Sequence, residues 1–144
     1  MSDYGYALND IEVGMTASFA KTITDADILM FAGVSGDTNP VHLNEEFACG
    51  TPFKGRIAHG MLTASLISTA LGTKLPGPGC VYLSQSMKFL APVRAGDTVR
   101  ALVREVERDK RRVPLDTVCQ VGGKDVLVGE ARLLVPARES LEAA

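Results

Sequence analysis

Met61 to Leu71, MLTASLISTAL, limits the architecture more than any other stretch. It is apolar around most of a helical circumference, with Ala64, Ser65, Ser68 and Ala70 interleaved. A helix without a clean polar face is a buried helix. Gly72, with Pro76 and Gly77 beyond it, predicts where the helix ends. From there the chain changes character. Cys80–Leu90, Thr98–Arg108, Val113–Val121 and Val126–Val135 read as strands, punctuated by Pro92–Asp97, Asp109–Arg112 and Gly122-Gly123. The glycine pair is a hairpin signal. Val99, Ala101, Val103 and Val106 predict a strand buried on one side, with a bulge near Glu105. The helix, about 12 residues at ~1.5 Å each, is roughly 18 Å long. Strands of about 10 residues at ~3.3 Å each reach roughly 33 Å. Long twisted antiparallel strands can curl around the shorter helix, which gives an α+β class. One helix cannot cover the whole sheet, so a strand-mediated dimer is expected.

The N-terminal half supplies the remaining elements. Ala7 to Met15 reads as an extended lead-in with a turn near Gly14, and Thr16 to Ile23 as a strand. Thr24 and Asp27 form a capping signal for a helix from Asp25 to Gly33. Gly36 and Pro40 open a loop, Asn44 to Ala48 makes one helical turn, and Cys49 to Ile57 is loop. The tail after Pro136 is expected to fray. Residues 1–144 are expected to form one domain with its core between about residues 13 and 136.

Composition removes several classes of function. The chain has 144 residues, 46% hydrophobic, with a net charge of −2. A general nucleic-acid binder is usually strongly basic. No run of about 18 apolar residues predicts a membrane span. The N-terminus, MSDYGYALNDIEVG, lacks the basic start and apolar core of a signal peptide, so a cytoplasmic setting is expected. Cys49, Cys80 and Cys119 are far apart and form no metal-binding spacing, so no metal is expected. Neither a Rossmann glycine fingerprint nor a P-loop is present, so no nucleotide cofactor is implied.

The candidate chemistry lies in FAGVSGDTNPVHLNEEFA, Phe31 to Ala48. It sets Asp37 five residues before His42, one of only two histidines, in a Gly/Asn/Pro loop. Such an acid–base pair can hold and activate a water. Taken alone, the same spacing more often only caps a turn. Asn39 is expected to shape the loop by bonding the backbone. Gly60 stands where the buried helix begins, so its N–H and the helix dipole suit a developing oxyanion. His59 is expected to satisfy backbone groups at the helix entry. The cysteines are expected to be incidental to function.

Phe31, Val34, Ser35, Gly36, Asp37, Asn39, Pro40, Val41, His42 and Ala48 fill a pattern that resembles the "hydratase 2" motif. That motif belongs to (R)-specific enoyl-CoA hydratases, which are MaoC-like proteins with the hotdog fold. His59-Gly60-Met61-Leu62, Leu75 to Gly79 and Phe89 to Val93 are also similar to the short hydratases, so the resemblance runs from about Val13 to Pro136. It implies a lyase that adds water to a trans-2-enoyl-CoA, giving the (R)-3-hydroxyacyl-CoA, and runs the reverse dehydration without a cofactor. It also implies a curved antiparallel sheet around a central helix, a two-fold homodimer, and a tunnel near the dimer interface. Asp37 and His42 would be catalytic and Gly60 would bind the thioester oxygen. Ser68 would support the aspartate, with Asn39 as a further supporting residue. The acyl-CoA phosphates need positive charge, for which Lys54, Arg56 and Arg94 are the alternatives. Lys110-Arg111-Arg112 reads instead as a solvated hairpin turn. The rival readings are a hotdog thioesterase, an acyl-carrier-protein dehydratase, and a non-catalytic acyl-CoA-binding module. Acyl chain length and pathway, storage-polyester supply or fatty-acid oxidation, stay open at this level.

Overall fold

The structure is a computed structural model that describes residues 3–107 and 111–142. Its centre is helix α4 (Gly60–Thr73), as expected, which buries Thr63, Leu66, Ile67, Ala70 and Leu71. Those five positions follow the spacing of one helical face. The helix does not end at Gly72. A glycine costs a helix interior about 1 kcal/mol but does not forbid it. The stop comes later, at Lys74, followed by the Gly77 N–H bonding back to the Leu71 carbonyl at 2.8 Å.

Five strands form one antiparallel sheet: β1 (Thr16–Thr22), β2 (Val81–Phe89), β3 (Thr98–Glu105), β4 (Arg112–Val121) and β5 (Lys124–Leu134). Their order across the sheet is β1-β3-β4-β5-β2. The sheet curves around α4, which packs on β1, β3 and β4. The inner face is read directly from period-two alternation. Val99, Ala101, Val103 and Glu105 of β3 are buried, and so are Val113, Leu115, Thr117 and Cys119 of β4. Register seats Ala101 opposite Cys119 and Val103 opposite Thr117. Gly122 and Gly123 both have positive φ (57° and 79°), as a tight hairpin turn between twisted strands requires.

The bulge expected near Glu105 is not there. Glu105 pairs in register with Leu115 and takes the next inward position. The register shifts fall instead between Tyr82 and Ser84 and between Cys119 and Gln120. The second leaves Val126 as an extra residue, so Val126 and Leu127 are buried in succession. Arg108 at the end of the Thr98–Arg108 segment, and Asp109 and Lys110 of the Asp109–Arg112 turn, lie outside the described residues.

Two further expectations need correction. The segment after Pro136 does not simply fray: it forms α5 (Arg138–Glu142), and Arg138 binds the Asn9 side chain and Asp10 of the N-terminal 3-10 turn. The loop expected from Gly36 onward is interrupted by a one-turn helix, α2 (Pro40–Leu43), with α3 (Glu45–Cys49) next. Pro40 is compatible with a helix here because it occupies the first turn, where its missing N–H is not needed.

Helix α1 (Asp25–Ser35) carries the chain into that region and runs two residues past the expected Gly33. The capping box is formed. Thr24 Oγ1 accepts from the Asp27 N–H at 3.1 Å, and Asp27 Oδ2 accepts from the Thr24 N–H at 2.9 Å. Lys21 Nζ reaches the same carboxylate at 2.5 Å. The Lys21 hydrogen bond, followed by the Thr24 backbone bond, holds the Asp27 carboxyl below its ordinary 3.8. A carboxyl depressed in the folded state stabilises the fold above its unfolded value and loses that contribution as pH falls through the folded one. The stability gap between the parent and Asp27→Asn should therefore be full at neutral pH and shrink as pH drops below 3.8. Urea unfolding of both proteins across acid pH reads this directly.

Candidate active site

The turn between α1 and α2 is built by side chains bonding to nearby backbone. Gly36 caps α1 in the left-handed region at φ 78°. Ser35 Oγ donates to the Phe31 carbonyl at 2.6 Å and accepts from the Asp37 N–H at 3.1 Å. Asp37 Oδ1 accepts from the Asn39 N–H at 3.3 Å, and Asn39 Oδ1 accepts from the Val41 N–H at 3.1 Å, capping α2. These short-range bonds are the ones that Asp, Asn and Ser make in turns. They leave Asp37 exposed at the turn and present His42, third in α2, from a buried position at 8% exposure.

Hydrogen bonding determines the state of the His42 ring. Nδ1 lies 2.8 Å from the Ile57 carbonyl. A carbonyl only accepts, so Nδ1 carries the hydrogen and Nε2 of the neutral ring is a bare acceptor. The ligating atoms of Asp37, His42 and His59 lie within 4.8 Å of one another. One water with two hydrogen bonds of about 2.8 Å spans such a gap.

Asp37 and His42 open onto a cavity of about 480 Å³, a size suited to a small organic ligand. Gly60, Phe89, Val93 and Val126 line it as well. The β5 bulge is what brings Val126 here, and its carbonyl accepts from the Leu90 N–H at 2.9 Å. Gly60 opens α4, and His59 before it makes no side-chain cap. The first N–H groups of a helix have no partner within the helix. A Cβ on Gly60 would lie 2.6 Å from Phe89 Cε1, so close packing is an independent reason for glycine at this position.

Ser68 lies elsewhere. It is exposed on α4 and lines a separate groove with Phe31, Met61, Tyr82 and Gln85. Within one chain the structure does not bring it to Asp37. The basic alternatives also sort themselves. Arg56 Nε donates to the His42 carbonyl at 2.7 Å and its guanidinium pairs with Asp25 at 2.7 Å. Arg94 donates to the Arg56 carbonyl at 3.2 Å and to the Phe53 carbonyl. Both arginines therefore brace the loop that carries the site. Lys54 holds a left-handed φ of 58° and directly follows Phe53, which lines the cavity.

His59 is the residue whose position the sequence reading misjudged. It was expected to serve the helix entry. Its Nε2 instead reaches back to the Asp37 carbonyl at 2.9 Å, and its ring stacks on His42 with centroids 3.9 Å apart. The available signal was its place beside Gly60 in a chain with only two histidines. Asp37, His42 and His59 have the composition of a metal site. Stacked rings, however, hold their in-plane lone pairs in near-parallel planes instead of converging on one ion. The cysteines take no part in the cavity. Burial pushes the Cys119 thiol up to about 12 and also raises Cys80, while a hydrogen bond to Glu45 raises Cys49.

A curved antiparallel sheet wrapped around one central helix is a hotdog domain. The chain belongs to the MaoC like domain family, whose pattern matches residues 9–128. It is 56% identical over 131 residues to an (R)-specific enoyl-CoA hydratase from Rhodospirillum rubrum, covering 90% of this chain and 91% of that one. It is 50% identical over 135 residues to a 3-hydroxybutyryl-CoA dehydratase from Methylorubrum extorquens, covering 92% and 86%. Among solved structures it resembles the R-hydratase PhaJ1 from Pseudomonas aeruginosa in its unliganded form. The TM-score is 0.88 at 42% identity, covering 93% of this chain and 88% of that one.

The Gly60–Phe89 contact is open to direct measurement. Gly60→Ala should cost about 1–3 kcal/mol through overpacking. Phe89→Ala in the Gly60→Ala background should recover most of that loss. Urea midpoints of the three proteins check both steps.

Proposed function

We propose that this protein is an (R)-specific enoyl-CoA hydratase, a hydro-lyase acting on trans-2-enoyl-CoA without a cofactor. The observation that carries this reading is a single one. The Asp37 carboxylate and a ring nitrogen of His42 lie within 4.8 Å, one water's reach, beside the open N-terminus of α4.

The chemistry follows from that placement. A water held between Asp37 and His42 is oriented and made more nucleophilic. Its oxygen bonds to the β-carbon of the conjugated thioester while the π electrons shift toward the thioester oxygen. The pair takes a proton from that water and returns one to the α-carbon on the same face, so H and OH add syn. The two groups act as one coupled pair during this transfer. Negative charge developing on the thioester oxygen meets the Gly60 N–H and the positive end of α4. Asn39 shapes the turn that presents the pair. Of the three basic alternatives, Lys54, which follows the cavity-lining Phe53 in the chain, is the one to meet the CoA phosphates, because Arg56 and Arg94 are engaged by the loop. The same reading sets the protein in the cytoplasm.

Parent protein given crotonyl-CoA should bleach the enoyl-thioester absorbance and yield (R)-3-hydroxybutyryl-CoA by chiral analysis. Asp37→Ala and His42→Ala should each lower kcat by on the order of 10²–10⁴, the range for acid–base groups, while staying folded. Purely (S) product, or parent-like rates in either variant, would sink the assignment. Thiol release from saturated acyl-CoA would point to a thioesterase instead.

A homodimer belongs to the same proposal. Among the described residues β2 ends the sheet with an unpaired edge, and Val81, Tyr82, Leu83 and Met61 are about half exposed. An apolar edge of this kind suits pairing with a second copy about a two-fold axis. Ser68 shares the groove with Tyr82 and Met61, so support for an aspartate would come across that pairing. Light scattering should give twice the 15.3 kDa chain mass, and a monomer at all concentrations would overturn the pairing.

A further inference from the structure

We infer that His59 is the positioning residue that fixes the water-binding pair relative to the oxyanion end of α4; this rests on the hydratase reading above. The reaction needs three groups in register: Asp37, His42 and the N–H of Gly60. The first two belong to the turn and helix α2, and the third to α4. His59 joins all three. Its backbone leads directly into Gly60, its Nε2 donates to the Asp37 carbonyl at 2.9 Å, and its ring face lies on His42 at 3.9 Å and 29°.

The ring itself is immobilised. Phe31 meets it edge-on with centroids 4.9 Å apart at 84°, opposite in kind to the stacked contact on His42. His59 is 2% exposed, so it cannot trade these contacts for water. The carbonyl of Asp37 accepts only, so Nε2 carries the hydrogen. Nδ1 is then the bare nitrogen, and among the described residues it is buried with no hydrogen-bond partner. An unmet buried acceptor costs free energy, which a histidine serving packing alone would not need to retain. The Nε2–H donor to the loop is the one polar contact that the side chain makes among the described residues.

His42 has a second tether, through Ile57, whose N–H also bonds the Val41 carbonyl at 3.3 Å. For the described residues, Asp37's backbone carbonyl is held to α4 by His59. Loss of the donor should therefore act mainly on Asp37. Misplacing a reacting group by about 1 Å can cost on the order of 10² in rate.

Three variants separate donor from ring: His59→Gln keeps an amide donor near the Nε2 position, His59→Phe keeps the ring, and His59→Ala keeps neither. With crotonyl-CoA, His59→Ala and His59→Phe should lose about 10² in kcat while KM moves less than about threefold. His59→Gln should recover at least about tenfold of that loss. Parent-like kcat in His59→Phe, or no recovery in His59→Gln, overturns the inference. So does a change confined to KM or to melting temperature. A second measurement needs no variant to fold. In long-range ¹H–¹⁵N spectra of the parent at mildly alkaline pH, the two histidines should show opposite tautomers, Nδ1–H for His42 and Nε2–H for His59. Two histidines of the same tautomer overturn it. A parent with no turnover on any enoyl-CoA sinks the hydratase reading, and the tautomer pattern then decides whether His59 tethers Asp37.

Discussion

Burial of α4 against the inner face of β1, β3 and β4 is the contact on which everything else depends. Leu66, Ile67, Ala70 and Leu71 meet Val99, Ala101, Leu115 and Cys119 in one core. Removing such side chains from water is worth about 1.5–3 kcal/mol each. The strands curve because they must cover a helix shorter than themselves. Once α4 is held, its N-terminus has a fixed address, at the end of the cavity that also contains Asp37 and His42.

The site is then a matter of how a short irregular segment is held to that address. The turn after α1 is stabilised locally by Ser35, Asp37 and Asn39, each bonding backbone a few residues away. Its docking is not local. It depends on Ile57, His59 and Arg56, which reach it from 14 to 22 residues further along the chain. The β5 bulge closes the cavity from the far side by turning Val126 inward. Loops can carry chemistry when a rigid scaffold positions them in this way.

Much of this was legible in the residues, and the failures have physical causes. Period-two alternation located the inner face of β3 and β4, and the Thr24 to Asp27 box located the start of α1. Pro40 was read as a breaker because proline breaks helix interiors, yet it opens α2 from the first turn, with Asn39 as cap. Gly72 reads as a stop, but glycine only weakens a helix interior, and α4 ends at Lys74, just ahead of Pro76 and the left-handed Gly77. The pattern Val99, Ala101, Val103 and Val106 predicts a bulge near Glu105, whereas the shift occurs where Val126 lines the cavity. The Asp37 and His42 pair came from residue type and spacing, and from the family pattern they share.

The sequence by itself determined the class of fold, the buried helix, the hairpin at Gly122-Gly123, and the loop with an acid and a base. Each depends on periodicity or on residues within a few positions of one another, where local sterics and hydrogen bonds dominate. Only the tertiary structure decided that His59 turns back to Asp37 in place of capping its own helix. It also decided that Arg56 and Arg94 brace the loop, and that Ser68 lies apart from the cavity. Those outcomes follow from how distant segments meet around α4, and no local pattern encodes a contact between residues that only the closed core brings together.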